Sequence, residues 1–427
     1  MRIVVVVVGL ALLARGARAQ AAPPLTLAEV YRRVEPASPR LAAAEARTDA
    51  ARARIGPASR WPDPAIQLAL MNRSLPRLGL SDPLGMNQIQ VMQMVPVAGK
   101  TGLAVKAARA GAEAEAERGR EVAQEVRADA AMRFFDLYQA DATLALMRDG
   151  RRLLGEALRA GEAMYAGGST PQAAVLRAQV ELARMDEAVI RMEAMRATMA
   201  AGLNALADLP LDAAVGTPEL PAFPAAPPST DSLEALALAQ RPMLAAGALD
   251  AAQRDLLARR ASREIWPDLT LGVIYGQRPM PDGGTDRMAS FMLGFTLPLT
   301  PGSRQRQMTR EAQAMHAEAV ADLAAMRIET RSRVGALTAE LTRATTTRRH
   351  YQTTLLPQLE AAAGSALAGY RAGQVDFMTL LESQMALIAA RQELVRLDAE
   401  TGKAWAELEM LTATTFLAAD AADGAVR

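Results

Sequence analysis

Trp61-Pro62-Asp63 returns later in the chain as Trp266-Pro267-Asp268, and Tyr165-Ala166-Gly167-Gly168 returns as Tyr370-Arg371-Ala372-Gly373. Both pairs lie 205 residues apart, so one unit is present twice. Weaker echoes agree within a few residues: Pro39-Arg40-Leu41 with Pro242-Met243-Leu244, and Val95-Pro96 with Leu297-Pro298. Register argues more strongly than identity. After the first Tyr-x-x-Gly, Leu176, Val180, Ala183 and Ile190 align, with Glu187 interrupting. After the second, Leu381, Met385, Ile388 and Val395 align, with Gln392 interrupting, each 205 residues further on. Alternating steps of four and three are the seam of a coiled coil.

Each copy reads in the same order. A helical segment of about 30 residues opens it, Leu27 to Ile55 and Leu233 to Ile265. Two short strands follow, then a very long helix, the Tyr-x-x-Gly turn and a return helix. Gly102 to Ala163 contains no proline, and some 60 helical residues span roughly 90 Å. The counterpart, from Ser303 to Tyr370, is interrupted only by Pro357; along it Val334, Leu337, Leu341, Ala344, Tyr351 and Leu355 keep heptad-like spacing, with Arg348 the exception. Helices this long form coiled coils rather than an ordinary globular core. The first repeat is placed at 20–208 and the second at 231–415. Between them, at 209–230, Pro210, Pro218, Pro221, Pro224, Pro227 and Pro228 predict an extended linker, with Asp231 or Ser232 capping the next helix. The tail, 416–427, small and polar from Ala418 onward, is expected to be disordered.

Strands are expected near 63–71, 88–97, 267–277 and 289–299. In Leu269–Gln277, Leu269, Leu271, Val273 and Tyr275 share one face and Thr270, Gly272, Ile274 and Gly276 the other. Phe291, Leu293, Phe295, Leu297 and Leu299 likewise oppose Met292, Gly294, Thr296 and Pro298. Large apolar residues alternating with small or polar ones over about 9–11 positions suit a strand crossing a hydrocarbon layer. In the first copy Ile66, Leu68 and Leu70 alternate with Ala65, Gln67 and Ala69, while the partner strand loses clean alternation at Val91-Met92, which points to a bulge. The turn-rich loops, Asn72 to Gly85 and Pro279 to Asp286, suit the extracellular side. An open sheet edge in lipid leaves backbone groups unpaired. Closed membrane barrels have at least about eight strands, so four strands demand two, three or four copies of the chain.

Residues 1–19 read as a secretory signal: Arg2, an apolar run from Ile3 to Ala14, and Ala17-Arg18-Ala19 before Gln20. Its removal takes away three arginines and no acid, changing the net charge from +1 to −2, which does not favour nucleic acid. The chain has no cysteine, so disulfides, thiolate metal sites and a lipoprotein anchor are not expected. No later apolar run is long enough for a transmembrane helix. No nucleophile elbow, phosphate loop or zinc-protease motif is present, and His316 and His350 sit in helical charge patterns, so no enzyme, cofactor or catalytic residue is expected.

This order resembles the TolC-like outer-membrane efflux proteins over nearly the whole chain, from Leu25 to Thr415. The most specific element is Tyr370-Arg-Ala-Gly-Gln-Val-Asp-Phe-Met-Thr-Leu-Leu-Glu382 followed by Gln384, with Tyr165 to Arg177 as its echo. The resemblance implies a mainly α protein with a β-barrel part. Duplicated coiled-coil units form a helical tunnel, and four strands per chain enter a shared transmembrane barrel completed by a homotrimer. It further implies an outer-membrane channel, passive itself, that works with a periplasmic adaptor and an inner-membrane pump. Tyr370 matches a tyrosine that closes the inner mouth in relatives, and Glu382 matches an acidic position of the constriction. Val375 stands where relatives often carry a charge, and neighbouring Asp376 is its substitute. Arg177 occupies the place equivalent to Glu382, which suggests a pairing between the copies, and Tyr165 the place equivalent to Tyr370. Gly168 and Gly373 are helix C-cap glycines at the tip that meets the adaptor. A periplasmic coiled-coil adaptor or scaffold is the alternative, but it would carry one helical hairpin and no lipid-patterned strands.

The segment Val95-Pro-Val-Ala-Gly-Lys100 is similar to the strand-to-helix turn of the family's heavy-metal branch. Methionines such as Met71, Met86, Met92, Met94, Met192 and Met195 offer thioethers to soft cations, yet methionine also fills cores, which is the preferred reading. Drug, metal ion and polypeptide all remain open as cargo.

Overall fold

A computed structural model describes residues 24–72, 85–168, 171–224, 226–280, 282–296 and 303–417. The proposed signal and the residues 297–299 expected in the fourth strand lie outside them. The chain runs α1 (Leu27–Ala37), α2 (Pro39–Ala53), α3 (Ile55–Ser59), β1 (Ala65–Met71), β2 (Met86–Val95), α4 (Lys100–Ala166) and α5 (Gln172–Leu206). The second copy runs α6 (Thr230–Gln240), α7 (Pro242–Ser262), β3 (Leu269–Pro279), β4 (Thr285–Phe295), α8 (Gln305–His350), α9 (Leu356–Arg371) and α10 (Phe377–Thr412). It is a mostly helical protein with one antiparallel four-stranded sheet in the order β1-β2-β3-β4.

The opening segment of each copy is helical, as expected, but is broken at one point. Ser38 and Arg241 have ψ of 114° and 119°, because a following proline crowds the helical conformation of the residue before it. Pro39 and Pro242 then begin the next helix, where a missing N–H costs nothing. The helix after the linker is capped by Ser229, whose Oγ accepts from the Ser232 amide at 3.2 Å, rather than by Asp231 or Ser232. The linker itself crosses the N-terminus: Leu25 donates to Thr217 O and accepts from the Glu219 amide, both at 2.9 Å. At the other end of the chain, Phe416 stacks on Trp405 at 5.2 Å and Leu417 is buried, so the expected disorder from 416 does not hold for these two apolar residues. Residues 418–427 lie outside the described residues.

α4 is one unbroken helix of 67 residues, about 100 Å long. Its counterpart passes Pro357 through a π-helical turn, Tyr351–Leu355, whose wider ring absorbs the lost hydrogen bond before Pro357 enters the first turn of α9. The main core sits midway along these helices, where Phe134, Phe135 and Leu137 of α4 meet Leu341 of α8 and Trp405 and Leu408 of α10. A second core lies near the helix tips. Val334, Leu337, Leu341 and Ala344 are buried as a seam, and the exception Arg348 pairs with Asp398 at 2.7 Å. The return helices differ: Leu381 and Ile388 of α10 are buried, whereas Leu176, Val180 and Ile190 of α5 face solvent. α5 instead buries Val175, Ala178 and Met185.

The strands hold continuous registers, from Met71↔Met86 to Ala65↔Met92 and from Asn87↔Gln277 to Val95↔Leu269, so no bulge occurs at Val91-Met92. At Val91-Met92 the alternation holds once methionine is counted with the small and polar face; it is Gln93, opposite Leu271, that interrupts the apolar face. β2 and β4 begin earlier than expected because cross-strand pairing recruits polar residues such as Asp286, opposite Arg278.

Candidate functional site

One face of the sheet carries Ile66, Leu68, Leu70, Ile89, Val91, Leu271, Val273, Tyr275, Phe291, Leu293 and Phe295, all exposed. The other carries Ala65, Gln67, Ala69, Gln88, Gln90, Gly272, Gly276 and Ser290, with Met71, Met86, Met92, Met94, Met288 and Met292 among them. Met92 and Met292 flank Gly272, and a Cβ there would sit 3.1 Å from the Met292 methyl. These methionines therefore belong to the sheet and not to either helical core; the core-filling reading holds instead for Met185, buried in the core near the tips, and for Met199 and Met410, which pack on the main core. Among the described residues, no His, Cys, Asp or Glu cluster is arranged to hold a metal ion, and no helix is long and apolar enough to cross a membrane.

Where sheet meets helices, the second copy grips the first. Lys100 is buried at the start of α4; its Nζ donates to Asp268 Oδ1 and Trp266 O, both at 2.9 Å, and lies 3.2 Å from Glu264 Oε2. Asp268 Oδ1 also accepts from the Val97 amide at 3.1 Å. Ala98 and Gly99 turn through positive φ to bring Lys100 there. Sequence reasoning quoted Trp266-Pro267-Asp268 and Val95–Lys100 separately and missed their contact. The available signal was that one ends where β3 begins and the other starts where β2 ends.

At the far end lie the residues expected at the mouth. Gly168 and Gly373 have φ of +73° and +71° just past α4 and α9, a conformation that a Cβ penalises, and their amides donate to Tyr165 O and Tyr370 O at 2.9 and 3.0 Å. Tyr370 is buried against Phe377, with ring centroids 6.1 Å apart, and its hydroxyl donates to Ala157 O of the first copy at 3.4 Å. Burial raises its pKa. Gly161 leaves the room, since a Cβ there would lie 2.9 Å from the Tyr370 hydroxyl. Tyr165, the equivalent in the first copy, is exposed. Asp376 caps α10, accepting from the Thr379 amide at 2.8 Å; hydrogen bonds from the Thr379 side chain and amide hold its carboxyl below its ordinary range. Val375 packs over Gly369. Glu382 and Arg177 are both exposed near this tip, and no ion pair joins them within the described residues of one chain. The single chain thus brings Tyr370 to Ala157 and Gly161, and leaves Tyr165, Arg177 and Glu382 facing outward.

A family model described as outer membrane efflux protein matches residues 30–207 and 233–414. No curated protein sequence matches the chain. Its fold is similar to that of the outer membrane protein VceC from Vibrio cholerae, with a TM-score of 0.77, 18% identity, and 91% of this chain and 96% of that one covered. It is similar also to the outer-membrane channel OprN, with a TM-score of 0.78, 17% identity and coverage of 91% and 90%. CusC, whose structures describe transmembrane channel formation, gives 0.76 at 16% identity with coverage of 90% and 91%.

Proposed function

The chain belongs to the outer membrane efflux protein family, and on that premise we propose that three copies close one water-filled barrel and one helical duct, joined to a periplasmic adaptor and an inner-membrane pump. As a member, it is an outer-membrane efflux channel protein with its helices in the periplasm. The observation that carries the proposal is the sheet. Its apolar face is exposed along all four strands, and its two edges, β1 and β4, have no strand partner among the described residues. In hydrocarbon each unpaired backbone group costs several kcal/mol, so the edges must meet edges of other copies. The apolar face then meets lipid and the Gln, Gly and Met face lines the lumen.

The Tyr-x-x-Gly turns form the inner mouth, where an adaptor docks. Tyr165, Arg177, Asp376 and Glu382 stand at this aperture, and Tyr370 braces the two copies behind it. The exposed Arg177 and Glu382 pair between neighbouring subunits when the mouth is shut. The duct itself does no chemistry; the pump selects the cargo and supplies the energy. The test is reconstitution of the mature protein in a planar lipid bilayer. Discrete conductance steps and a heat-sensitive oligomer on gels are expected, with larger leak after Arg177→Ala. A soluble monomer that opens no pores without or with detergent overturns the reading.

A further inference from the structure

The duplication specifies how one copy joins the next. Across the two hairpins, β1 maps onto β3 with an offset of 205 and β2 onto β4 with an offset of 202. The observed registers obey both offsets, since Ala65↔Met92 becomes Thr270↔Gly294 and Met71↔Met86 becomes Gly276↔Met288. The junction of the two hairpins inside the chain, β2 against β3, is therefore a template for the junction of β4 with β1 of a neighbour.

Resting on the trimeric barrel reading, we propose that β4 pairs antiparallel with β1 of a second copy in the register Phe295↔Ile66, Leu293↔Leu68, Phe291↔Leu70 on one face and Gly294↔Gln67, Met292↔Ala69, Ser290↔Met71 on the other. Each pair is the image of one within the chain: Leu293↔Leu68 corresponds to Val91↔Val273, Phe291↔Leu70 to Ile89↔Tyr275, and Met292↔Ala69 to Gln90↔Ile274. Two further observations support it. The faces agree without adjustment: every large apolar residue meets a large apolar residue, and the small, polar and methionine residues meet one another. A slip of one residue would invert this. Second, the edge side chains are the most exposed of the apolar face. Phe291 and Leu68 stand at 87% and 79%, against 40% and 48% for Val91 and Val273, which already have strands on both sides. The register gives Phe291, Leu293, Ile66 and Leu68 a second cross-strand partner beside the one each has, and covers β1 from Ile66 to Met71 with β4.

Because the chain contains no cysteine, paired cysteines report on this junction alone. Directly opposite Cβ atoms lie about 4.5–5.5 Å apart, and those two residues out of register about 7–8 Å, beyond the reach of a disulfide. Leu68→Cys with Leu293→Cys, and Ala69→Cys with Met292→Cys, sample both classes of antiparallel pair. Val91→Cys with Val273→Cys is the control within one chain. On oxidation of the outer-membrane protein, the first two variants should give covalent dimers and trimers on denaturing gels. Leu70→Cys with Leu293→Cys, slipped by two, should cross-link at least roughly tenfold more slowly. An assembled, conducting oligomer that cross-links faster in the slipped pair, or in neither in-register pair, overturns the register while leaving the channel reading intact. A control disulfide that forms in a chain that never assembles overturns both.

Discussion

Asp268, in the second copy, places one carboxylate oxygen 2.9 Å from the ammonium of Lys100 and 3.1 Å from the amide of Val97, both in the first. The contact ties the end of β2 and the start of α4 to the start of β3, so the joint between sheet and helices is set by the duplication. The Lys100 side chain is nearly fully buried, and Asp268 and Glu264 share its charge. Removing Lys100 leaves Asp268 and Glu264, partly exposed, without their shared counter-charge, at less than the about 3–5 kcal/mol of a fully buried pair. Lys100→Ala is expected to lower the temperature at which the oligomer dissociates on gels by more than any substitution of the exposed pair Arg152 and Asp149. Equal effects would show that the joint is held by strand pairing alone.

Glu121 is fully buried on α4 and accepts from Arg241 at 2.9 and 2.8 Å and from the Met243 amide at 3.1 Å, while Arg241 also donates to Thr330 at 2.8 Å. Arg241 sits at the break between α6 and α7, so this carboxylate fixes the kink made by Pro242. Glu121→Ala is expected to cost about 3–5 kcal/mol of stability, because the Arg241 charge loses its main partner in a buried site. Glu121→Gln keeps an acceptor and should cost less. Denaturant titration of the detergent-solubilised protein checks the order.

The long helices, the four strands and their faces were legible because period and alternation are written directly in residue order: Leu269 to Tyr275 needs no partner to show its two faces. What depends on partners was not. The prolines at 39 and 242 were visible, but a break one residue earlier follows from steric crowding of Ser38 and Arg241. Val91-Met92 looked irregular only because methionine was counted with the apolar face. Leu176 and Ala183 stand 205 residues before Leu381 and Ile388, yet the second pair is buried and the first exposed, because α10 lies among α4, α8 and α9 while α5 packs chiefly on α4. Tyr370 and Tyr165 likewise share a motif, but Tyr370 is buried beside Gly161 and Phe377 in the core near the tips, while Tyr165 is exposed.

Gly402 of α10 faces Phe135 of α4 so closely that an added Cβ would overlap the ring. Both lie in the main core, where backbone and ring have little room to give. Gly402→Ala is expected to destabilise by about 1–3 kcal/mol through overpacking. Phe135→Leu added to it should recover part of that loss, and thermal unfolding followed by circular dichroism measures both. Additive losses would place the strain elsewhere.

Glu409, near the end of α10, accepts from the amides of Phe416 and Leu417 at 2.5 and 2.6 Å. Burial nevertheless raises its pKa above 4.5, opposed by those two amides and by Arg127. The folded chain thus holds the proton more tightly than the unfolded one. The stability gained from the protonated form is complete below the unfolded value and is lost as pH rises through the folded pKa. Glu409→Gln retains an acceptor for both amides and removes the titration. Its melting temperature relative to the unsubstituted protein should therefore be higher near pH 7 than near pH 4. The opposite trend would mean that the carboxylate is stabilised by Arg127 more than it is penalised by burial.

The outward stripe of α5 separates folding from assembly. Leu176, Val180 and Ile190 are already exposed in the single chain, so charging them removes no packing within it. In the proposed trimeric duct the same stripe is expected to lie against the neighbouring copy, where a buried unpaired carboxylate would be costly. Leu176→Glu with Val180→Glu should leave helical content and the melting of the detergent-bound monomer unchanged, while the oligomer seen on unheated gels falls to a minor fraction. Substituting Val175 and Ala178, which face α4's side of the same helix, should instead reduce helical content itself. If the charged stripe still yields full oligomer and normal conductance, α5 faces water in the assembly and the helical wall is closed by other surfaces.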